Sequence, residues 1–344
     1  MRASPVSAAP GRRLPAPVRT VVNAVFLLAL LYVFLWAIAL FGAAFKLMGK
    51  EFSEQLIATT TNPVIGLMIG LLATSLIQSS SSTTSIVVGM VAGGALTVPN
   101  AIPIIMGANM GTTVTNTLVA MTTINRRAEF QRAFAGATMH DFFNLLTILI
   151  LFPIEISTHY LQRSATWLST HLVGSHGTEF PNPVKTVIKP AVKATEHLLS
   201  GTLKLPDTAA EILMIVLALL GIFVALTFMT KLLKGVVLHR AEGAFTKNVR
   251  KSGLGAMVMG LVVTVAVQSS SITTSLLVPL IGAGIVPLPA AFAATLGANV
   301  GTTVTALLAS LTGTPEAVTV ALVHLLFNIT GILIIYPLPA LRNI

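Results

Sequence analysis

Two short clusters of polar side chains interrupt long apolar stretches of the sequence. They are Gln78–Ser85 (QSSSSTTS) and Gln268–Ser275 (QSSSITTS). A half-helix that begins after such a cluster presents free N–H groups and the positive end of its dipole, which suits an anion. Neither cluster contains Lys or Arg, so a bound anion would depend on hydroxyls, N–H groups and co-bound cations. The candidate anion ligands are Ser79, Ser80, Ser81, Ser269, Ser270 and Ser271.

Other roles for the serines have to be weighed against anion binding. Serine and threonine are common where helices pack inside membranes, so a single cluster is equally consistent with packing. Two clusters at corresponding positions, each led by glutamine, favour a site. A catalytic serine needs a paired base, and the sequence has no Gly-x-Ser-x-Gly elbow. Because a catalytic serine has no reason to be duplicated, we predict that the chain is not an enzyme.

A second duplicated motif, Gly-Ala-Asn-x-Gly-Thr-Thr-Val-Thr, occupies Gly107–Thr115 and Gly297–Thr305. Its two glycines, four residues apart, fit close packing between helices. The motif also fits local unwinding, which would turn carbonyls, the asparagine and the first threonine towards a cavity. Sodium is a hard cation that favours such oxygen ligands. Beside the serine clusters, we expect each motif to contribute to a cation cage.

Asp141 lies inside an apolar segment, directly after His140. A carboxylate at membrane depth costs several kcal/mol unless it is paired, so it is a candidate functional group. A structural pair with His140 or a basic residue is the alternative. The second half of the chain has Leu325 at the equivalent position, which predicts an extra cation site in the first half only. For His140 and His324 we favour buried hydrogen bonds that tie helices together over a proton relay.

The composition is that of a membrane protein. Hydrophobic residues make up 54% of the 344 residues and charged residues only 9%, against about 25% charged residues in soluble domains. The net charge of +10 comes from Lys and Arg in short breaks between apolar runs, which is how membrane proteins fix their orientation. Aromatic residues do not interleave with the basic ones, so no nucleic-acid groove is predicted. The chain has no cysteine, which excludes disulfides and thiol chemistry.

The length of the apolar runs predicts six membrane spans and two broken segments. A spanning helix needs about 20 apolar residues. The spans are predicted at 22–45, 101–123, 132–152, 210–230, 289–311 and 316–337. The segments 56–98 and 254–286 are interrupted by the serine clusters, and lipid cannot satisfy an unwound backbone. Each is therefore predicted to be a re-entrant helical hairpin.

The two halves of the chain are repeats. Residues 78–115 align with residues 268–305 without a gap, and 19 of the 38 positions are identical. With the N-terminus inside, 14 of the 21 Lys and Arg residues face the cytoplasm, and the hairpins enter from opposite sides. The predicted layout is a cytoplasmic tail at 1–20, the first repeat at 21–153, an external segment at 154–209, the second repeat at 210–338 and a C-terminal tail at 339–344. The external segment shows no recognisable chemistry.

These motifs resemble those of the type II sodium/phosphate cotransporter family. The resemblance covers both repeats, and its most specific stretches are Gln78–Ser85, Ala101–Thr117, Arg132–Asn144, Gln268–Ser275 and Gly297–Thr305. It implies sodium-driven phosphate uptake with phosphate held between the two serine clusters. It also implies that an acidic residue at Asp141, with Ala135 and Ala137 nearby, accompanies an additional sodium ion and net charge movement. The absence of cysteine and of glycosylation sequons in 153–209 points to a bacterial-type member.

The expectation is therefore an all-α, multi-pass protein of the cell membrane, with two inverted repeats that each contain a re-entrant hairpin and broken transmembrane helices. Its partners are phosphate, sodium and the lipid bilayer, and it needs no cofactor beyond the co-transported sodium ions. The expected sodium ligands are Gln78, Asn109, Thr112, Asp141, Asn144, Gln268, Thr273, Thr274, Asn299, Thr302 and Asn328. A sodium- or proton-coupled carrier of another oxyanion, such as arsenate or sulfate, and an ion channel are the alternatives.

Overall fold

The computed structural model describes residues 15–173, 183–249 and 253–339, which form fourteen α-helices and no β-strand. The helices are α1 (Ala16–Leu47), α2 (Gly49–Thr60), α3 (Pro63–Ile77), α4 (Ser80–Ala92), α5 (Val98–Met110), α6 (Val114–Met121), α7 (Arg127–Thr158), α8 (Tyr160–Val173), α9 (Pro183–Glu196), α10 (Asp207–Val249), α11 (Gly253–Val267), α12 (Ser270–Gly282), α13 (Leu288–Ser310) and α14 (Pro315–Ile335). Of the predicted tails, residues 1–14 and 340–344 lie outside these ranges, while residues 16–20, predicted as part of the N-terminal tail, belong to α1.

Five helices are long and apolar enough to cross a membrane by themselves. They are α1, α7, α10, α13 and α14, and they confirm the spans predicted at 22–45, 132–152, 210–230, 289–311 and 316–337. The helices α2 and α3 form a sixth candidate only as a pair bent by 97°. The segment predicted as a span at 101–123 is instead interrupted, because a 3₁₀ turn at Gly111–Thr113 separates α5 from α6.

At each of the two predicted hairpins, a pair of short helices meets at a serine cluster. The helices α3 and α4 meet at Gln78 and Ser79, and α11 and α12 meet at Gln268 and Ser269. The first hairpin starts later than the predicted position 56, which lies in α2. Asn62 accepts hydrogen bonds from two N–H groups of the first turn of α3, and the proline that follows it begins the helix.

Close approach of backbones joins each hairpin to the helix that follows it. A Cβ atom at Gly70 of α3 would overlap the carbonyl oxygen of Ile104 in α5, and one at Gly107 would overlap that of Leu67. The same two overlaps recur 190 positions later, between α11 and α13. Glycine is therefore required where these helices run side by side. The packing role considered for the Gly-Ala-Asn motif applies to the first glycine of both copies.

The helices after the serine clusters pack across the boundary between the repeats. The helix α4 of the first half contacts α13 and α14 of the second half, while α12 of the second half contacts α6 and α7 of the first. The exchange is reciprocal, since α13 is the counterpart of α5 and α6, and α14 is the counterpart of α7. Each half therefore supplies a hairpin helix to the core of the other.

The two hairpins are anchored at different ends of the bundle. Lys46 at the end of α1 and Ala92 at the end of α4 line one cavity together with Thr314, which directly precedes α14. From there α14 runs for 21 residues, a length of about 30 Å. At its far end the hydroxyl of Tyr336 lies against Gly253, where α11 begins. The first hairpin thus returns to one end of α14, and the second starts at the other.

Candidate functional site

The two serine clusters share one backbone geometry, which makes each a helix start. Gln78 and Gln268 end α3 and α11 in the left-handed region, with φ of 58° and 57°. Ser79 and Ser269 follow in extended conformation and cap the next helix. The Ser79 hydroxyl accepts from the backbone N–H of residue 82 at 3.2 Å, and that of Ser269 accepts from the N–H of residue 272 at 3.4 Å. These caps fix where α4 and α12 begin.

Serine hydroxyls next to the caps remain available for a ligand. In the described part of the chain, no protein hydrogen bond is made by the side chains of Ser80, Ser81, Ser270 and Ser271. Ser80, Ser81 and Ser270 are nevertheless buried in the protein. Their hydroxyl oxygens, however, are not among the fully enclosed polar atoms of the described residues, so water or a ligand can reach and satisfy them. Two helix starts that carry such hydroxyls are able to accept an oxyanion.

The glutamine of each cluster is held by a threonine of the neighbouring helix. Thr115 donates from Oγ1 to Oε1 of Gln78 at 2.6 Å, and Thr305 donates to Oε1 of Gln268 at 2.9 Å. The amide nitrogen of each glutamine donates back to the preceding turn of its own helix. Gln268 is only 8% exposed, whereas Gln78 is an exposed residue. The two hairpin tips, residues 78–81 and 268–271, therefore have equivalent hydrogen bonds at their glutamines but differ in solvent access.

A crossed pair of hydrogen bonds joins the two repeats. His140 of α7 contacts Oδ1 of Asn299 in α13 through Nε2 at 2.6 Å. The counterpart pair, His324 of α14 and Asn109 of α5, makes the same contact at 3.1 Å. All four side chains are buried. The histidines therefore tie helices of one half to helices of the other, the role favoured from the sequence.

Two further asparagines at equivalent positions extend this network, but the direction of their hydrogen bonds differs between the halves. Oδ1 of Asn144 accepts from the amide of Asn299 at 3.2 Å, and the amide of Asn328 donates to Oδ1 of Asn109 at 3.4 Å. The amide of Asn144 also donates to the backbone carbonyl of Asn109 at 3.0 Å. Oδ1 of Asn328 is buried without a hydrogen-bond partner in the described residues. The network thus contains one free amide oxygen that suits a hard cation.

Local unwinding of the Gly-Ala-Asn motif occurs in only one of its two copies. In the first half, Thr112 lies in the 3₁₀ turn between α5 and α6 and is buried. In the second half α13 is continuous, and Thr302 donates from Oγ1 to the carbonyl of Ala298 at 3.0 Å as an ordinary helical residue. The unwinding expected in both halves is therefore wrong for the second half. The two motifs have nearly the same sequence, so the difference arises from their surroundings.

Asn116 is a polar contact between the repeats that the sequence analysis did not select. Oδ1 of Asn116 in α6 accepts from Thr274 at 2.8 Å and from Ser275 at 3.4 Å, both in α12. The counterpart of Asn116 in the second half is Ala306, and the buried hydroxyl of Ser85 has no hydrogen-bond partner in the described chain. A comparison of the repeats for polar residues present in only one half would have identified Asn116.

The remaining predicted ligands lie on the same helices. Asp141 follows His140 on α7 and is partly exposed. Thr273 of α12 accepts a hydrogen bond from Thr264 of α11 at 2.8 Å and is fully buried. Asp141 and Asn116 are both polar residues that only the first half carries, in two helices that pack against α12. These two polar differences between the halves therefore both lie beside α12.

The chain is similar to known transport proteins over both repeats. Residues 33–165 and 219–341 match the family model described as Na⁺/Pi-cotransporter. The sodium-dependent phosphate transport protein 2B of Pongo abelii is 34% identical over 408 residues, covering 92% of this chain and 59% of that protein. The sodium-dependent phosphate transport protein 2A of Mus musculus is 35% identical over 387 residues, covering 92% of this chain and 61% of that protein. The chain thus spans about three fifths of the length of these curated relatives. No solved structure shows significant similarity to it.

Proposed function

Because this chain belongs to the Na⁺/Pi-cotransporter family, we propose that it couples the entry of sodium ions to the uptake of inorganic phosphate. The observation that carries this proposal is the pair of capped helix starts, each with serine hydroxyls that make no hydrogen bond to the described part of the chain. Donors of this kind recognise an oxyanion without a fixed positive charge. The anion's charge must then be balanced by co-transported cations, which links the two substrates.

We assign phosphate to the serines and sodium to the amide and hydroxyl oxygens below them. The phosphate ligands are Ser80, Ser81, Ser270 and Ser271, with Ser79 and Ser269 holding the helix starts. Sodium ligands come from the set Gln78, Asn109, Thr112, Asp141, Asn144, Gln268, Thr273, Thr274, Asn299, Thr302 and Asn328. Within this set Asn328 is the strongest, because its buried oxygen has no hydrogen-bond partner in the described chain. Thr302 is the weakest, because its hydroxyl is used within α13.

Transport proceeds by alternating access between two inverted repeats. The reciprocal packing of α4 and α12, and their anchoring at opposite ends of α14, support this arrangement. A site between the two tips can be reached from either side of the membrane if one hairpin moves at a time. Cation charge offsets the phosphate charge. Moving the ions together through the low-dielectric interior therefore costs less electrostatic free energy than moving either charge alone.

Asp141 supplies the additional negative charge that we propose makes transport electrogenic. The second half has a leucine at this position, so the charge is present once per chain. Its carboxylate would take a further sodium ion, and each transport cycle would then carry net positive charge inward.

The test is uptake of radiolabelled phosphate into proteoliposomes containing the purified chain. An inward sodium gradient should drive accumulation, while an equal potassium gradient should not. Unlabelled arsenate and sulfate are included as competitors, because the tip hydroxyls bind any tetrahedral oxyanion of suitable size. Accumulation that sulfate suppresses better than phosphate would assign a different cargo. Flux that only equilibrates phosphate, whichever cation is present, would indicate a channel.

A further inference from the structure

A cavity of about 260 Å³ lies far from the serine tips, between the end of α1 and the amphipathic helix α9. Its floor is apolar and includes Ile38 and Ala43 of α1 and Ile188 and Val192 of α9. Ile38, Ile188 and Val192 belong to the buried core that joins the two helices. The cavity is thus built into the packing of α9 against a membrane span.

Four lysines line the same cavity. Lys185, Lys189 and Lys193 follow one another at four-residue spacing on one face of α9, and Lys46 lies at the end of α1. Within the described chain, Lys46, Lys189 and Lys193 make no ion pair. Glu196 is the one carboxylate among the lining residues. The rim therefore carries an excess of positive charge above an apolar floor.

The lysines are also predicted to lie on the external side of the membrane, where the positive-inside rule does not call for basic residues. The predicted external segment 154–209 contains three of the four, whereas the positive-inside rule concentrates Lys and Arg on the cytoplasmic side. Lysine side chains at the end of a span extend their amines towards lipid headgroups. An amphipathic helix with apolar residues on one face and lysines on the other lies in the interface plane.

We infer that this cavity is a binding site for an anionic phospholipid. The lysines hold the phosphodiester, and the start of an acyl chain lies on the apolar floor. Ala39 and Ala43 of the floor continue towards the middle of α1 along a stripe that reaches Tyr32 and Leu28, which are exposed on the protein surface. A free phosphate ion could also bind the lysines, but it would gain nothing from contact with the apolar floor. The apolar floor therefore favours the lipid.

The experiment is a native mass spectrometry titration of the full chain in mild detergent with phosphatidylglycerol, phosphatidylcholine or inorganic phosphate. One molecule of phosphatidylglycerol should bind at least tenfold more tightly than phosphatidylcholine. Lys189→Gln combined with Lys193→Gln should weaken phosphatidylglycerol binding about 25-fold, from roughly fivefold per lysine near a membrane surface. Sodium-driven phosphate uptake should persist, because these lysines are not part of the tips. The lipid measurement therefore stands whether or not the proposed transport activity is observed.

Two further variants separate the possible outcomes. Lys50→Gln removes an exposed lysine that follows the same span but does not line the cavity, and it should leave lipid binding unchanged. Ala43→Leu fills the floor with all lysines intact, and it should weaken phosphatidylglycerol while leaving any binding of inorganic phosphate unaltered. Equal affinity for the two lipids in the unmodified chain would overturn the inference. Lysine-dependent binding of inorganic phosphate without a preference for phosphatidylglycerol would overturn it in favour of the free ion.

Discussion

His140 of α7 hydrogen-bonds to Asn299 of α13 at 2.6 Å, and this contact joins the first repeat to the second. Its counterpart between His324 and Asn109 crosses in the opposite sense. Because each half supplies one histidine and one asparagine, neither half can move away from the other without breaking both buried contacts. We therefore expect α5, α7, α13 and α14 to move as one body during transport.

The coupling between His140 and Asn299 can be measured by a double-mutant cycle. His140→Ala and Asn299→Ala should each lower stability by about 1–3 kcal/mol, because each leaves a buried polar partner unsatisfied. The double variant should cost clearly less than the sum of the two. Thermal unfolding of the purified chain in detergent gives the comparison. Additive losses would mean that the two side chains are not energetically coupled.

The serine tips provide the most direct test of the proposed phosphate site. Ser80→Ala combined with Ser270→Ala should abolish sodium-driven phosphate uptake, because each removes a hydroxyl that makes no hydrogen bond to the described chain and is therefore available to phosphate. Stability should change little, since neither hydroxyl bonds to the described chain. Ser53→Ala, in α2 and remote from both tips, is the matched control and should transport normally. Normal uptake by the double variant would indicate that the serine clusters serve helix packing and do not bind phosphate.

Asp141→Gly should retain phosphate uptake but lose net charge movement. Glycine within α7 costs about 1 kcal/mol of helix stability, so Asp141→Asn serves as a second variant that keeps the helix propensity closer to that of the native residue. Phosphate-evoked current across a bilayer, measured beside radiolabelled uptake, separates the two effects. Inward current in both variants at the level of the unmodified chain would contradict the role assigned to Asp141.

The close contact between α3 and α5 should not tolerate a side chain at Gly70. In Gly70→Ala the added Cβ would overlap the backbone of Ile104, which cannot rotate away. Overpacking of this kind costs about 1–3 kcal/mol. Gly235→Ala is the matched control, because a Cβ there meets nothing within 4 Å. A fall in the yield of folded protein and in its unfolding temperature should be seen for the first variant only.

The sequence predicted the helices and motifs well because both depend on local pattern. The apolar run lengths gave five spans, and the serine clusters gave the turning points of both hairpins. The pairing of His140 with Asn299 was not predictable, since their 159-residue separation is closed only by the packing of α7 on α13. The sequence also could not predict that the first Gly-Ala-Asn motif is interrupted by a 3₁₀ turn while the second is a continuous helix, because the two motifs are nearly identical. There the deciding factor is the surrounding structure, which single-sequence patterns do not contain.

The unequal burial of the two tips predicts which of them water-soluble reagents reach. Gln78 is exposed and Gln268 is 8% exposed, although both make the same hydrogen bonds. The chain has no cysteine, so a single introduced thiol has no background. We expect Gln78→Cys to react with a charged maleimide at least tenfold faster than Gln268→Cys in purified protein, because reaction requires a solvated thiolate. Equal reaction rates for the two variants in the absence of substrates would contradict the unequal access of the two tips.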